Sequence, residues 1–157
     1  MIRIQIFTIV AYALFAFWYA VPALRRLRRA DALAAIASVH VFRYVVLYIY
    51  QAQHEGYTIS TAAARDLVIG DLAGAAIAIF AIALLRYRIK LGVAFCWLLV
   101  VETLIDAIVG GHQKSIDPPV SGLAGVWWLV FTFFAPLIMV SLPLLAWQLY
   151  SRRNESL

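Results

Sequence analysis

Five long apolar runs, at residues 4–24, 32–51, 67–85, 91–110 and 123–150, leave few folds open to this chain of 157 residues. Each run holds roughly 19 to 28 residues, and ~20 helical residues cross the ~30 Å hydrocarbon core of a bilayer. The runs are continuous rather than alternating segments of ~10 residues, which selects helices over the strands of a membrane barrel. The breaks between them are short and polar: "RRLRRAD", "QHEGYTISTAAARD", "RYRIK" and "GHQKSIDPPVS". The chain reads as one all-α integral membrane domain over 1–157, a five-transmembrane-helix bundle.

Composition agrees: 65% of residues are hydrophobic and 13% charged. A soluble domain of this length is nearer half apolar, because its surface must carry charge. The formal charge of +5 sits between the apolar runs rather than in one patch, which excludes a nucleic-acid partner and leaves the lipid bilayer. Cys96 is the single cysteine, so no internal disulfide and no cysteine-built metal site is possible; it reads as a buried apolar thiol.

Basic residues set the expected orientation. Nine flank one side: Arg25, Arg26, Arg28 and Arg29, then Arg86, Arg88 and Lys90, then Arg152 and Arg153. Three flank the other, namely Arg3, Arg65 and Lys114. The N-terminus is expected outside and the C-terminus in the cytoplasm, in the plasma membrane (bacterial inner membrane). The first run carries its arginines after the apolar stretch and bulky Phe15, Phe17, Trp18 and Tyr19 within it, so it is expected to be retained rather than cleaved as a signal peptide. The fifth run contains Pro136 and Pro143, which predicts a kink or tilt. Trp127 and Trp128 at one of its ends, with Trp147 and Tyr150 at the other, suit interfacial anchoring.

The polar residues inside the runs carry the functional signal. In "SVHVFRYVVLYIYQAQHE", at 100° per residue, His40, Tyr44, Tyr48, Gln51 and Glu55 share one side, with Arg43 and His54 on the adjoining flank. Arg43 lies ~16 Å from the cytoplasmic end of its run, near the midplane. In "VVETLIDAIVGGH", Glu102 lies at the same depth and Asp106 follows four residues later on the same face. Asp71, about 8 Å below the outer end of the third run, matches Asp106 in depth. An isolated charge at the bilayer centre costs roughly 2.5–3.5 kcal/mol even on the lenient insertion scale. The first level therefore predicts an Arg43–Glu102 ion pair facing the bundle interior. Asp71 and Asp106, at the second level further out, cannot both ionise cheaply if they approach each other. One then holds a proton, binds a cation or faces water, and the set reads as a polar cavity open to the outside. His40, Tyr44, Tyr48 and Gln51 are expected to line it, with His54, Glu55, Asp66 and His112 at its rim. A single Arg–Glu pair serves equally well to hold helices together, and the Gly70–Gly74 spacing reads as close helix packing.

Other chemistries lack their residues. A retinal protein needs a lysine within a run, but Lys90 and Lys114 lie at run edges. A bis-histidine haem needs two histidines at one depth, and only His40 is deep. His54, His112, Asp71 and Asp106 include suitable zinc or manganese ligands but lack a tight spacing motif, so no metal site is assigned. Ser38 and Cys96 have no base and orienting partner, so no catalytic residue is assigned and an enzyme ranks third among the classes. No cofactor is assigned.

The motifs "HVFRYV", "GDL" and "CWLLVVETLID" resemble those of small bacterial multi-pass membrane proteins without an assigned function. The resemblance covers His40 to Asp106 and implies that Arg43, Asp71 and Asp106 act together; Glu102 departs from that pattern. Two function classes follow. One is a small transporter or channel for a proton, cation or small solute, working as a homo-oligomer or along a protomer interface. The other is a non-catalytic accessory subunit of a larger membrane complex that holds a lipid, pigment or quinone.

Overall fold

The computed structural model describes residues 2–56, 59–116 and 127–157, and their side chains except those of 2, 110–116 and 127. Every regular element among the described residues is helical. Five helices are long and apolar enough to cross a membrane: α1 Arg3–Arg26, α2 Arg29–His54, α3 Thr61–Arg86, α4 Leu91–Ile116 (apolar over Leu91–Val109) and α5 Val130–Ser151. The expected start of the fifth run, at 123–126, lies outside the described residues, as does the side chain of His112.

The helices outrun their apolar runs where polar residues suit a helix end. α3 starts six residues before residue 67, because Ser60 caps it: the Ser60 hydroxyl accepts from the Ala63 backbone N–H at 3.2 Å. Its other end closes with Arg88 in the left-handed region, φ 56°. The Ile89 N–H donates to the Leu84 carbonyl and the Arg88 N–H to the Leu85 carbonyl, the paired bonds that satisfy a helix's last carbonyls. The Arg88 guanidinium then reaches both oxygens of Asp31, in the first turn of α2, at 3.1 Å.

Three interruptions depart from α-geometry. Before Pro22 and before Pro136 the chain widens into single π-turns, Ala16–Ala20 and Val130–Phe134. Proline cannot donate and its ring crowds the carbonyl four residues back, so the preceding residue bonds five back instead: Val21 to Ala16, and Ala135 to Val130. The expected distortion at Pro136 thus takes the form of an extra residue in the turn, while Pro143 lies within the α-helical stretch Ala135–Ser151. The third interruption is a six-residue 3₁₀ segment in α2, Phe42–Leu47, longer than such segments commonly run.

α3 packs most extensively against α4 and α2, while α5 packs against α2, α4 and α1. Alanines on α2 and α3 (Ala30, Ala32, Ala37, Ala75, Ala78 and Ala81) are buried and let backbones approach closely. The fifth helix therefore closes the bundle, and α1 stands aside, burying only Thr8 and Leu24 among its described side chains. One apolar cluster, with Leu33, Leu85, Leu99 and Leu145, fills the arginine-rich half. A second, with Val46, Ile49 and Val68, fills the opposite half. Large apolar side chains such as Phe7, Trp18, Phe80 and Ile108 point outward, the inverse of a water-facing surface. Between the two clusters sits a charge.

Candidate functional site

Arg43 is 1% exposed and among the largest fully buried side chains. The 3₁₀ winding puts it there. At three residues per turn, His40, Arg43, Val46 and Ile49 fall in one line, and all four are buried. The same winding turns Tyr44 and Tyr48 outward, each about half exposed, and Gln51 is exposed too, its amide donating to Glu55 at 3.1 Å. The expected polar stripe assumed 100° per residue throughout; the structure corrects it, leaving Tyr44, Tyr48 and Gln51 away from the buried charge.

Each nitrogen of the guanidinium finds a carboxylate. Nε donates to Asp71 Oδ1 at 2.7 Å, Nη1 to Glu102 Oε2 at 2.6 Å, and Nη2 to Asp106 Oδ2 at 2.7 Å. Nη1 also donates to the Thr103 hydroxyl at 3.1 Å, and that hydroxyl donates on to Glu102 Oε2 at 3.2 Å. α3 supplies one carboxyl and α4 two, because Glu102 and Asp106 stand one turn apart on one face. The planar fork of arginine suits this three-way division; the point charge of lysine does not.

Two glycines of α3 make the room. A Cβ on Gly74 would overlap Arg43 Nη1 and lie 2.7 Å from Glu102 Oε2. One on Gly70 would overlap Asp106 Oδ1. The small-residue spacing, expected to let helices touch, admits a guanidinium and a carboxylate between them. Thr103 is the member of the site that sequence reasoning missed; its only signal is its place beside Glu102.

The carboxylates are only partly covered: Asp71, Glu102 and Asp106 have side-chain exposures of 24%, 15% and 21%. Glu102 and Asp106, with Asp66 at one end, form the charged part of a groove of about 470 Å³ between α3 and α4. Gly70, Ala73 and Ile77 line one wall and Leu98, Val101 and Ile105 the other. The groove reaches Asp66 and Val109 at the end away from the arginine-rich half of the bundle. Its walls are apolar and half exposed, so it opens sideways from the bundle.

The remaining expected site residues lie elsewhere. His40 is fully buried on the α5 side, where its Nε2 and the Ser141 hydroxyl are 3.2 Å apart. His54 and Glu55 are exposed at the end of α2, and Asp66 is exposed at the mouth of the groove. Among the described residues no group of three His, Cys, Asp or Glu side chains is placed to hold a metal ion. At the Arg43 site the guanidinium occupies the point where the carboxylates converge.

No curated protein and no solved structure matches this chain. One family model does, described as "Domain of unknown function (DUF8737)", and it covers residues 2–150. A match over nearly the whole length, spanning all five helices and the four charged residues of the site, places the chain in the DUF8737 family.

Proposed function

We propose that the protein is a multi-pass protein of the bacterial inner membrane, N-terminus outside, whose Arg43 cluster takes up a proton, a cation or a small cationic solute and carries it across the bilayer. The observation that carries this reading is the charge count at the cluster. One guanidinium faces three carboxylates, leaving two negative charges over if all are ionised. Arginine alone would need one partner to be neutral, so an assembly device does not account for the other two. The excess negative charge, mostly covered by protein, attracts protons and cations.

The surroundings support one-sided access. The groove runs past the cluster from Ile77 and Leu98 to Asp66 and Val109, and its longer part lies towards the end that carries fewer basic residues, which positive-inside bias puts outside. On the other side of the cluster, Leu33, Leu85, Leu99 and Leu145 pack against one another and narrow the way. A site reached from one side at a time is the arrangement of a carrier rather than an open pore. Because the groove opens sideways, a second copy or a larger membrane complex would cover it, and its apolar walls suit a cation bearing hydrocarbon groups.

The test is flux into vesicles that contain the reconstituted protein and a pH-sensitive dye. Asp71→Asn and Asp106→Asn should each lower proton or proton-coupled flux by at least about tenfold, the factor equivalent to ~1.4 kcal/mol of lost site affinity. Full flux in both variants would end the transport reading. The apolar groove walls favour a second reading, an accessory subunit that holds a lipid, pigment or quinone. Purification without added ligand, followed by mass spectrometry and an absorbance spectrum, tests it: a stoichiometric bound molecule is the expected sign.

A further inference from the structure

A second pocket, of about 500 Å³, lies at the arginine-rich end of the bundle and is built very differently from the groove. Arg28 and Arg29 at the start of α2, Arg152 just beyond α5, and Glu155, Ser156 and Leu157 of the C-terminal segment enclose it. Arg29 is 8% exposed. Its Nη1 donates to the carbonyls of Glu155 at 2.8 Å and Arg153 at 3.4 Å, which ties the C-terminal segment across the start of α2. Its Nε, equally buried, has no partner among the described residues. A buried guanidinium N–H without an acceptor is costly, and such groups are nearly always paired in the working molecule.

Other side chains that line the pocket add positive charge beside it. Arg152 is engaged: it donates to Glu155 Oε2 through Nε at 2.8 Å and to the carbonyls of Leu24 and Leu27. Glu155, held below the usual carboxylate range by its hydrogen bond from Arg152, stays ionised and offsets that one charge. Arg28 is exposed and makes no ion pair among the described residues, so it and Arg29 bring positive charge that Glu155 does not cancel. Arg28 is also the N-cap of α2 and provides no side-chain cap, so the first-turn N–H groups carry the helix's positive end towards the same region.

We infer that this pocket binds a phosphate group, carried by an anionic phospholipid headgroup or free in solution. Phosphate oxygens fit a guanidinium fork and a helix N-terminus together. The lipid source is favoured by position, because the pocket lies where the apolar spans end, level with headgroups, and basic pockets between helices there recognise anionic lipid. The inference makes no use of the cation reading of the Arg43 site. Its lipid arm shares only the membrane placement.

The experiment uses the full chain, purified in neutral detergent and stripped of lipid, with binding followed by native mass spectrometry and thermal shift. The probes are phosphatidylglycerol, inorganic phosphate and a phosphate-free diacylglycerol as the control. Wild type should bind phosphatidylglycerol or phosphate saturably and diacylglycerol no better than background. Arg29→Gln should weaken binding by about tenfold and Arg28→Gln by at least about threefold, as expected for losing charge-assisted hydrogen bonds and charge. Phosphatidylglycerol that millimolar phosphate fails to displace identifies the lipid source; phosphate bound with the same dependence on both arginines identifies the free ion. The Arg28 side chain makes no hydrogen bond among the described residues, so Arg28→Gln decides alone if Arg29→Gln fails to fold. Equal binding in wild type and Arg28→Gln, or no binding of either phosphate probe, overturns the inference.

Discussion

Replacing Arg43 with leucine should destabilise the protein by about 3–5 kcal/mol, because removing one partner leaves buried charges uncompensated. Here three carboxylates lose their shared cation at once. Arg3, exposed at the start of α1, provides the reference: Arg3→Leu should stay within about 0.5 kcal/mol of wild type, as surface substitutions usually do. Arg43→Lys restores the charge but not the fork, so it should fall between the two. Unfolding midpoints in detergent measure all three, and equal midpoints for Arg43→Leu and Arg3→Leu would refute a structural role for the buried guanidinium. Restoration of Arg43→Leu by a second change, Glu102→Gln with Asp106→Asn, would show that uncompensated charge rather than lost volume was the cause.

Gly74→Ala should reverse the usual sign of its substitution class. In an exposed helix interior alanine is favoured over glycine by about 1 kcal/mol. Gly74 is buried, and a methyl there would occupy the space of Arg43 Nη1 and press on Glu102. The guanidinium cannot step aside without abandoning three carboxylates, so overpacking should cost about 1–3 kcal/mol. Transport, if the cluster carries it, should fall with the same change. Gly56→Ala makes a useful contrast: its added Cβ meets open space but its backbone has φ +93°, so its cost would come from conformation rather than from the site. A Gly74→Ala protein at least as stable as wild type would show that the cluster can rearrange freely.

The five helices were legible because a lipid-length apolar run has few other uses, and hydropathy reports it directly. Their ends were less so. Residues 61–66 are polar enough to read as a connection, yet Ser60 caps them into α3; the helix continues beyond its apolar part because hydrogen bonds, not hydropathy, define it. At the site, counting rise per residue brought Arg43, Asp71, Glu102 and Asp106 to shared depths, and the structure joins all four. Depth survives small changes of winding. Direction does not: regular winding puts Tyr44, Tyr48 and Gln51 on a side from which the 3₁₀ segment turns them. The Gly70–Gly74 spacing suits contact between backbones; what passes over these glycines is side chain, and spacing alone does not distinguish the two. Nothing in the pattern marked Thr103 or the partnership of His40 with Ser141, since each depends on which helices become neighbours.

The 3₁₀ segment has one more consequence, for the length of the chain itself. Six residues at three per turn complete two whole turns, a rotation for which an α-helix needs about seven. α2 is therefore phased like a longer helix from which a single residue has been dropped, the tighter coil making up the shortfall. Adding one residue between Tyr44 and Leu47 would let that stretch settle into ordinary winding with both halves still aimed at their neighbours. Taking one away would swing Ile49 and Ala52 about 100° off the core with no slack left to absorb it. At this point in the sequence insertions and deletions are unequal events, and only the first is forgiven.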